Sequence, residues 1–63
     1  MFIELNNGSL VNIFWLDDIY QDVHDKTRVV YVYVNGAKKV EIFDSEQNAE
    51  SRVTEIKQQL LNI

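Results

Sequence analysis

These 63 residues contain no cysteine and no proline, and only two glycines. Each absence removes a class of protein. Without cysteine there is neither a disulfide framework nor a thiolate metal site. A single histidine leaves no zinc cluster of the usual kind, and no cofactor motif is present. Both glycines, Gly8 and Gly36, directly follow asparagine, and with no proline the chain has neither linkers nor the composition of a disordered segment. No apolar run approaches the roughly 20 residues needed to span a bilayer. The opening Met1-Phe2-Ile3-Glu4-Leu5 lacks a basic stretch followed by a long apolar core, so no signal peptide is expected and a cytoplasmic location is the default. Positive charge is also scarce. Six Lys and Arg against ten Asp and Glu give a formal charge of −4, which disfavours phosphate backbones and anionic membranes as partners.

What remains is a small apolar domain. An apolar share of 46% and a charged share of 25% suit a folded chain, and the length allows one domain over residues 1–63. A domain of this size buries only about 60% of its unfolded surface and is marginal. With disulfides and thiolate metals removed, self-association is the natural supplement.

The stretch around which the chain is organised runs from Arg28 to Val34, almost pure Val and Tyr. Asn35-Gly36 and an alternating run, Ala37 to Phe43, follow it. This reads as a β-hairpin. A two-residue loop, Asn35-Gly36, would set Tyr31 opposite Val40 and put Val30 and Val32 beside Glu41 and Lys39. A three-residue loop, Val34-Asn35-Gly36 with Gly36 left-handed, sets Val30 opposite Val40, Arg28 opposite Ile42 and Tyr31 opposite Lys39. The second register is preferred because it separates charge from the aliphatic face. It makes Val30, Val32, Val40 and Ile42 the expected inner face. Val29, Tyr31, Tyr33 and Phe43 then form an aromatic outer face where an ordinary one-sided sheet would turn polar.

The same loop at Asn6-Asn7-Gly8 makes a first hairpin, with Ile3, Leu5, Val11 and Ile13 inside and Phe2, Leu10, Asn12 and Phe14 outside. Asp17-Asp18 breaks the strand and reads as a turn or bulge, and residues 19–24 as either an extra strand or a bent continuation of the second. Asp44 or Ser45 starts a helix, with Gln47 completing a capping box after Asp44. Ala49, Val53, Ile56, Leu60 and Ile63 form its apolar stripe, with Leu61 at the edge. The expected fold is therefore α+β: an antiparallel β-meander of four or five strands, about 2–6, 9–15, optionally 19–24, 27–34 and 37–43. One C-terminal amphipathic helix, about 45–62, packs on one face.

The expected function is protein–protein interaction. The first partner is a second copy, a dimer as the simplest case, held by the outer face through Phe2, Leu10, Phe14, Tyr31, Tyr33 and Phe43. Trp15 is either end-of-sheet core or a half-exposed interface anchor. An adaptor, an assembly subunit or an inhibitor of a larger machine would each fit. The alternative is a single-stranded nucleic-acid binder, with Tyr31, Tyr33 and Phe14 stacking on bases and Arg28, Lys38 and Lys39 meeting phosphates. Asp17, Asp18, Asp22, His24 and Asp25 cluster in sequence but lack calcium-loop spacing and read as a solvated loop. Asp22 and His24 would share a strand face as an acid–base pair, yet no nucleophile or oxyanion hole accompanies them, so catalysis is not expected.

Overall fold

The computed structural model describes residues 1–62, which leaves Ile63, the last member of the expected helical stripe, outside the described residues. Five antiparallel strands and one helix follow in order: β1 (Phe2–Glu4), β2 (Leu10–Asn12), a 3-10 turn (Ile13–Trp15), β3 (Leu16–Gln21), β4 (Arg28–Tyr33), β5 (Lys38–Ile42) and α1 (Glu46–Leu61). The meander is split into a two-stranded sheet, β1–β2, and a three-stranded sheet ordered β3–β4–β5.

Both hairpins close with the three-residue loop. Leu5 N donates to Ser9 O at 2.8 Å and Tyr33 N to Ala37 O at 2.8 Å, while Gly8 N and Gly36 N donate back to Leu5 O and Tyr33 O. Gly8 and Gly36 have φ of 87° and 88°, the left-handed region that favours glycine. The expected registers follow: Ile3 pairs with Val11, and Val30 with Val40 and Arg28 with Ile42.

The segment between the hairpins differs from expectation. Residues 13–15 leave the extended conformation for a 3-10 turn, whose start is capped by Asn12 Oδ1 accepting from Phe14 N at 3.1 Å. Asp17 and Asp18 fall at a bulge between Leu16 and Asp18, the second of the two expected forms, but the bulge lies within β3 and does not separate it from a strand starting at Ile19. The region is thus a separate strand beginning at Leu16. Ser45, not Asp44, caps α1 by accepting from Asn48 N at 3.1 Å. Asp44 instead accepts from the Asn48 side chain, and Gln47 closes no box.

The larger correction concerns which side of the β3–β4–β5 sheet is covered. The core is built from Leu5, Val11 and Ile13 of the first hairpin, Ile19, Val29 and Tyr31 of the sheet, and Ala49 and Ile56 of α1. Ile3, Tyr33, Phe43, Val53 and Leu60 pack around it. Hairpin and helix therefore share the aromatic side of the sheet. The aliphatic side is open along β5, where Val40 is 40% and Ile42 59% exposed, while Val30 beside Val40 on β4 is buried and Val32 half-buried. Val29, Tyr31, Tyr33 and Phe43 were expected on an open outer face; Val29 and Tyr31 are buried, and Tyr33 and Phe43 are half-buried against the core. The reason lies in Glu41, which has a cation and two further donors waiting for it on the covered side.

Candidate interaction surface

Two features stand out above the fold: a buried polar cluster and an exposed apolar groove. Glu41, fully buried, accepts from the Tyr31 hydroxyl at 2.6 Å, from Asn6 N at 2.7 Å and from Arg52 Nη2 at 3.0 Å. Four segments converge on one carboxylate: the β1–β2 turn, β4, β5 and α1. A buried carboxylate with a cation and further donors meets the condition under which such a charge is tolerated. Arg52 is positioned as well by the Phe43 ring, whose centroid lies 5.7 Å from the guanidinium carbon. Burial, and next the bond to Glu41, push the Tyr31 phenol well above its usual range. Every member of the cluster is engaged by another, and no buried side-chain polar atom among the described residues lacks a partner. Its chemistry is structural. One sequence signal pointed to it: Arg52 lies three residues after Ala49 and four before Ile56, inside the apolar stripe of the helix.

The groove is the opposite case. It has a volume of about 670 Å³ and runs between the outer side of the first hairpin and the β4–β5 turn. Phe2, Leu10, Trp15, Tyr33, Val34 and Ala37 line it, together with Asn12 and Asn35. Phe2 is 64%, Leu10 55%, Trp15 63% and Val34 70% exposed. The 3-10 turn places Trp15 there. By breaking β2 at Ile13 it keeps Ile13 in the core while the next two side chains, Phe14 and Trp15, swing out to solvent. Trp15 is thus the exposed anchor and not end-of-sheet core. Val34 entered through the three-residue loop, which lifts it out of the ladder. Neither a family model, nor a curated protein, nor a solved structure matches the chain.

The structure divides the expected contact residues. Phe2, Leu10, Trp15 and Tyr33 meet at the groove. Phe14 is exposed on the adjoining turn. Phe43 packs against the core, and Tyr31 is sealed inside. The stacking set of the nucleic-acid reading is not brought together, because a Tyr31 ring with no exposed surface cannot meet a base. Two of its three cations are engaged as well. Lys39 Nζ donates to Leu10 O at 2.9 Å, and Arg28 Nε lies 3.4 Å from Asp25 Oδ2. Lys38 stands exposed at the start of β5.

The acidic loop has its own structural work. Asp22 Oδ1 accepts from His24 N, so the pair is joined through the backbone, not as side-chain acid and base. Asp25 Oδ1 accepts from the Thr27 hydroxyl at 2.6 Å and from Thr27 N at 3.1 Å. These bonds, with the Arg28 charge, hold the Asp25 carboxyl below its usual range. Among the described residues no three His, Asp or Glu side chains gather as a metal would need, and no helix is long and apolar enough to cross a membrane.

Proposed function

We propose that this chain is a small, non-catalytic protein–protein interaction module that works as a homo-oligomer, serving as an adaptor, an assembly subunit or an inhibitor of a larger assembly. The observation that carries this reading is the exposure of Phe2, Leu10, Trp15 and Val34 around one groove. Exposed apolar side chains are ordinary when scattered, but a contiguous set marks a contact site. Trp is also the residue type most enriched at the energetic centres of interfaces. The fold adds a second uncovered apolar surface on the far side of the sheet, at Val40 and Ile42.

Energetics set the expected strength. Removing about 500 Å² of apolar surface per subunit at ~25 cal/mol/Å² contributes about 12 kcal/mol gross. Association costs of about 4–15 kcal/mol offset most of that. The expected affinity is modest, micromolar at best, so oligomerisation is best sought at high concentration.

Sedimentation velocity over a concentration series tests self-association: a shift from monomer toward dimer is expected, and a monomer throughout overturns the homo-oligomer. The groove is tested with anilinonaphthalene sulfonate, an anionic dye whose aromatic rings bind apolar surface and accept excitation energy from tryptophan. Energy transfer from Trp15 is expected in the native chain and should be lost in Leu10→Glu. Dye binding that is absent, or unchanged in Leu10→Glu, removes the groove from the reading.

A further inference from the structure

Each hairpin loop carries an Asn-Gly pair, and that pair brings its own chemistry. The backbone nitrogen of the glycine attacks the side-chain carbonyl carbon of the asparagine before it. A C–N bond forms, and the side-chain nitrogen leaves as ammonia, taking the proton of the attacking nitrogen. Water then opens the resulting cyclic imide at either carbonyl, giving aspartate or isoaspartate. Glycine favours the reaction because it has no side chain to hinder the approach. Neither a cofactor nor a second protein is needed.

Asn7-Gly8 and Asn35-Gly36 are exposed, and in the resting fold both loops restrain the reacting groups. The nitrogen that must attack is already donating, Gly8 N to Leu5 O at 3.0 Å and Gly36 N to Tyr33 O at 2.9 Å. The amide that must be attacked is engaged as well. Asn7 Oδ1 accepts from Ser9 N at 2.9 Å, and Asn35 Oδ1 from Ala37 N at 3.0 Å. Either pair therefore reacts only when its loop opens, and to this point the two loops match.

What opening would break is different. The first loop is pinned to the rest of the fold through Asn6. Asn6 N donates to the buried Glu41 carboxylate at 2.7 Å, and Asn6 Nδ2 to Ile42 O at 2.6 Å. Leu5, from which the loop leaves, belongs to the core. Among the described residues the second loop has one backbone tie beyond its own hairpin, Val34 N to Trp15 O at 3.0 Å. Every residue from Val34 to Lys38 is exposed. Local opening is easiest where few buried contacts and few bonds to other elements are lost.

The geometry points to Asn35 as a self-modifying residue: in the folded chain Gly36 N converts its side-chain amide to a carboxylate, while the Asn6 tether protects Asn7. The product lies in the groove, whose lining includes Asn35. It adds a negative charge beside the exposed apolar side chains of Phe2, Leu10, Trp15 and Val34. The isoaspartate form also lengthens the backbone of a loop whose length fixes the β4–β5 register. This chemistry is independent of the interaction reading above, since a chain that never self-associates is still modified at Asn35.

Incubating the native chain in mildly alkaline buffer, followed by peptide mapping with mass spectrometry, tests the assignment. Amide-to-acid conversion at Asn35 should run roughly tenfold or more faster than at Asn7, and in urea the two rates should become equal. Asn6→Ala removes the tie to Ile42, and circular dichroism checks that it folds. Relative to its own rate in urea, Asn7 should react faster in this variant, while Asn35 is unchanged. Equal rates in the native chain, a faster Asn7, or a preference for Asn35 that persists undiminished in urea would each overturn the inference. So would an Asn7 rate unmoved by Asn6→Ala, or a native chain intact at both sites once the unfolded chain has been converted.

Discussion

Tyr31 holds its proton more tightly in the folded chain than in the unfolded one, because burial penalises the phenolate and because ionising it would place a second negative charge against Glu41. The consequence for stability has a definite sign. Below the ordinary phenol value of 10.0 both states are protonated and the contribution is fully present. Above it the unfolded chain releases the proton first, so stability falls as pH rises further. Urea unfolding followed from neutral pH to above pH 11 should show a declining midpoint that begins near the ordinary phenol value. In Tyr31→Phe the part of that decline due to Tyr31 should vanish. The same variant should be less stable at neutral pH by about 1–3 kcal/mol, the cost of leaving one oxygen of a buried carboxylate without its donor. Arg52→Met should cost more, roughly 3–5 kcal/mol, because it strands the Glu41 charge itself.

Among the elements, the two hairpins were the most legible part of the chain and the covered side of the sheet the least. Asn-Gly after an alternating run leads to the loop, and the loop fixes the register, so Val30 opposite Val40 and Ile3 opposite Val11 could be read directly from spacing. Which side of β4–β5 is buried could not be read the same way, since Val and Tyr alternate and either set can be core. The choice turned on Glu41 and Arg52, residues 11 apart in sequence on different elements, which no local pattern links. The rule that charge stays outside the core favoured the wrong side because it weighs a carboxylate alone, without the arginine that accompanies it. The 3-10 turn at Ile13–Trp15 was hidden for a related reason: its residues have strong strand preference, and only the Asn12 cap marks the departure. The glycines give a direct test of the loop assignment. At Gly36 a Cβ would meet no atom within 4 Å, so Gly36→Ala isolates the backbone cost, about 1–2 kcal/mol for a left-handed residue. Gly8→Ala should cost about the same, both read as shifts in the urea midpoint.

For the molecule as a whole, one helix and one hairpin cannot cover two sides of a sheet that is apolar on both. The expectation that one side would be left open held at this level, while the identity of that side was reversed: aliphatic Val40 and Ile42 are exposed and aromatic Tyr31 is not. If a second copy covers what the chain leaves open, stability must depend on protein concentration, since anything that binds only the folded state stabilises it by mass action. The thermal midpoint of the native chain should rise as concentration is raised. A midpoint independent of concentration would mean that the monomer carries all of its own stability.

The carboxylate of Glu41 also acts as a proofreader. Its three partners arrive from the β1–β2 turn, β4 and α1, so it is satisfied only when all of them are in place at once. Were β5 to thread one residue out of step, an aliphatic side chain would face Arg52 and the Tyr31 hydroxyl, and the acid would be turned out to water. A misthreaded chain is therefore penalised at several places together, and native order should be lost in a single step instead of strand by strand.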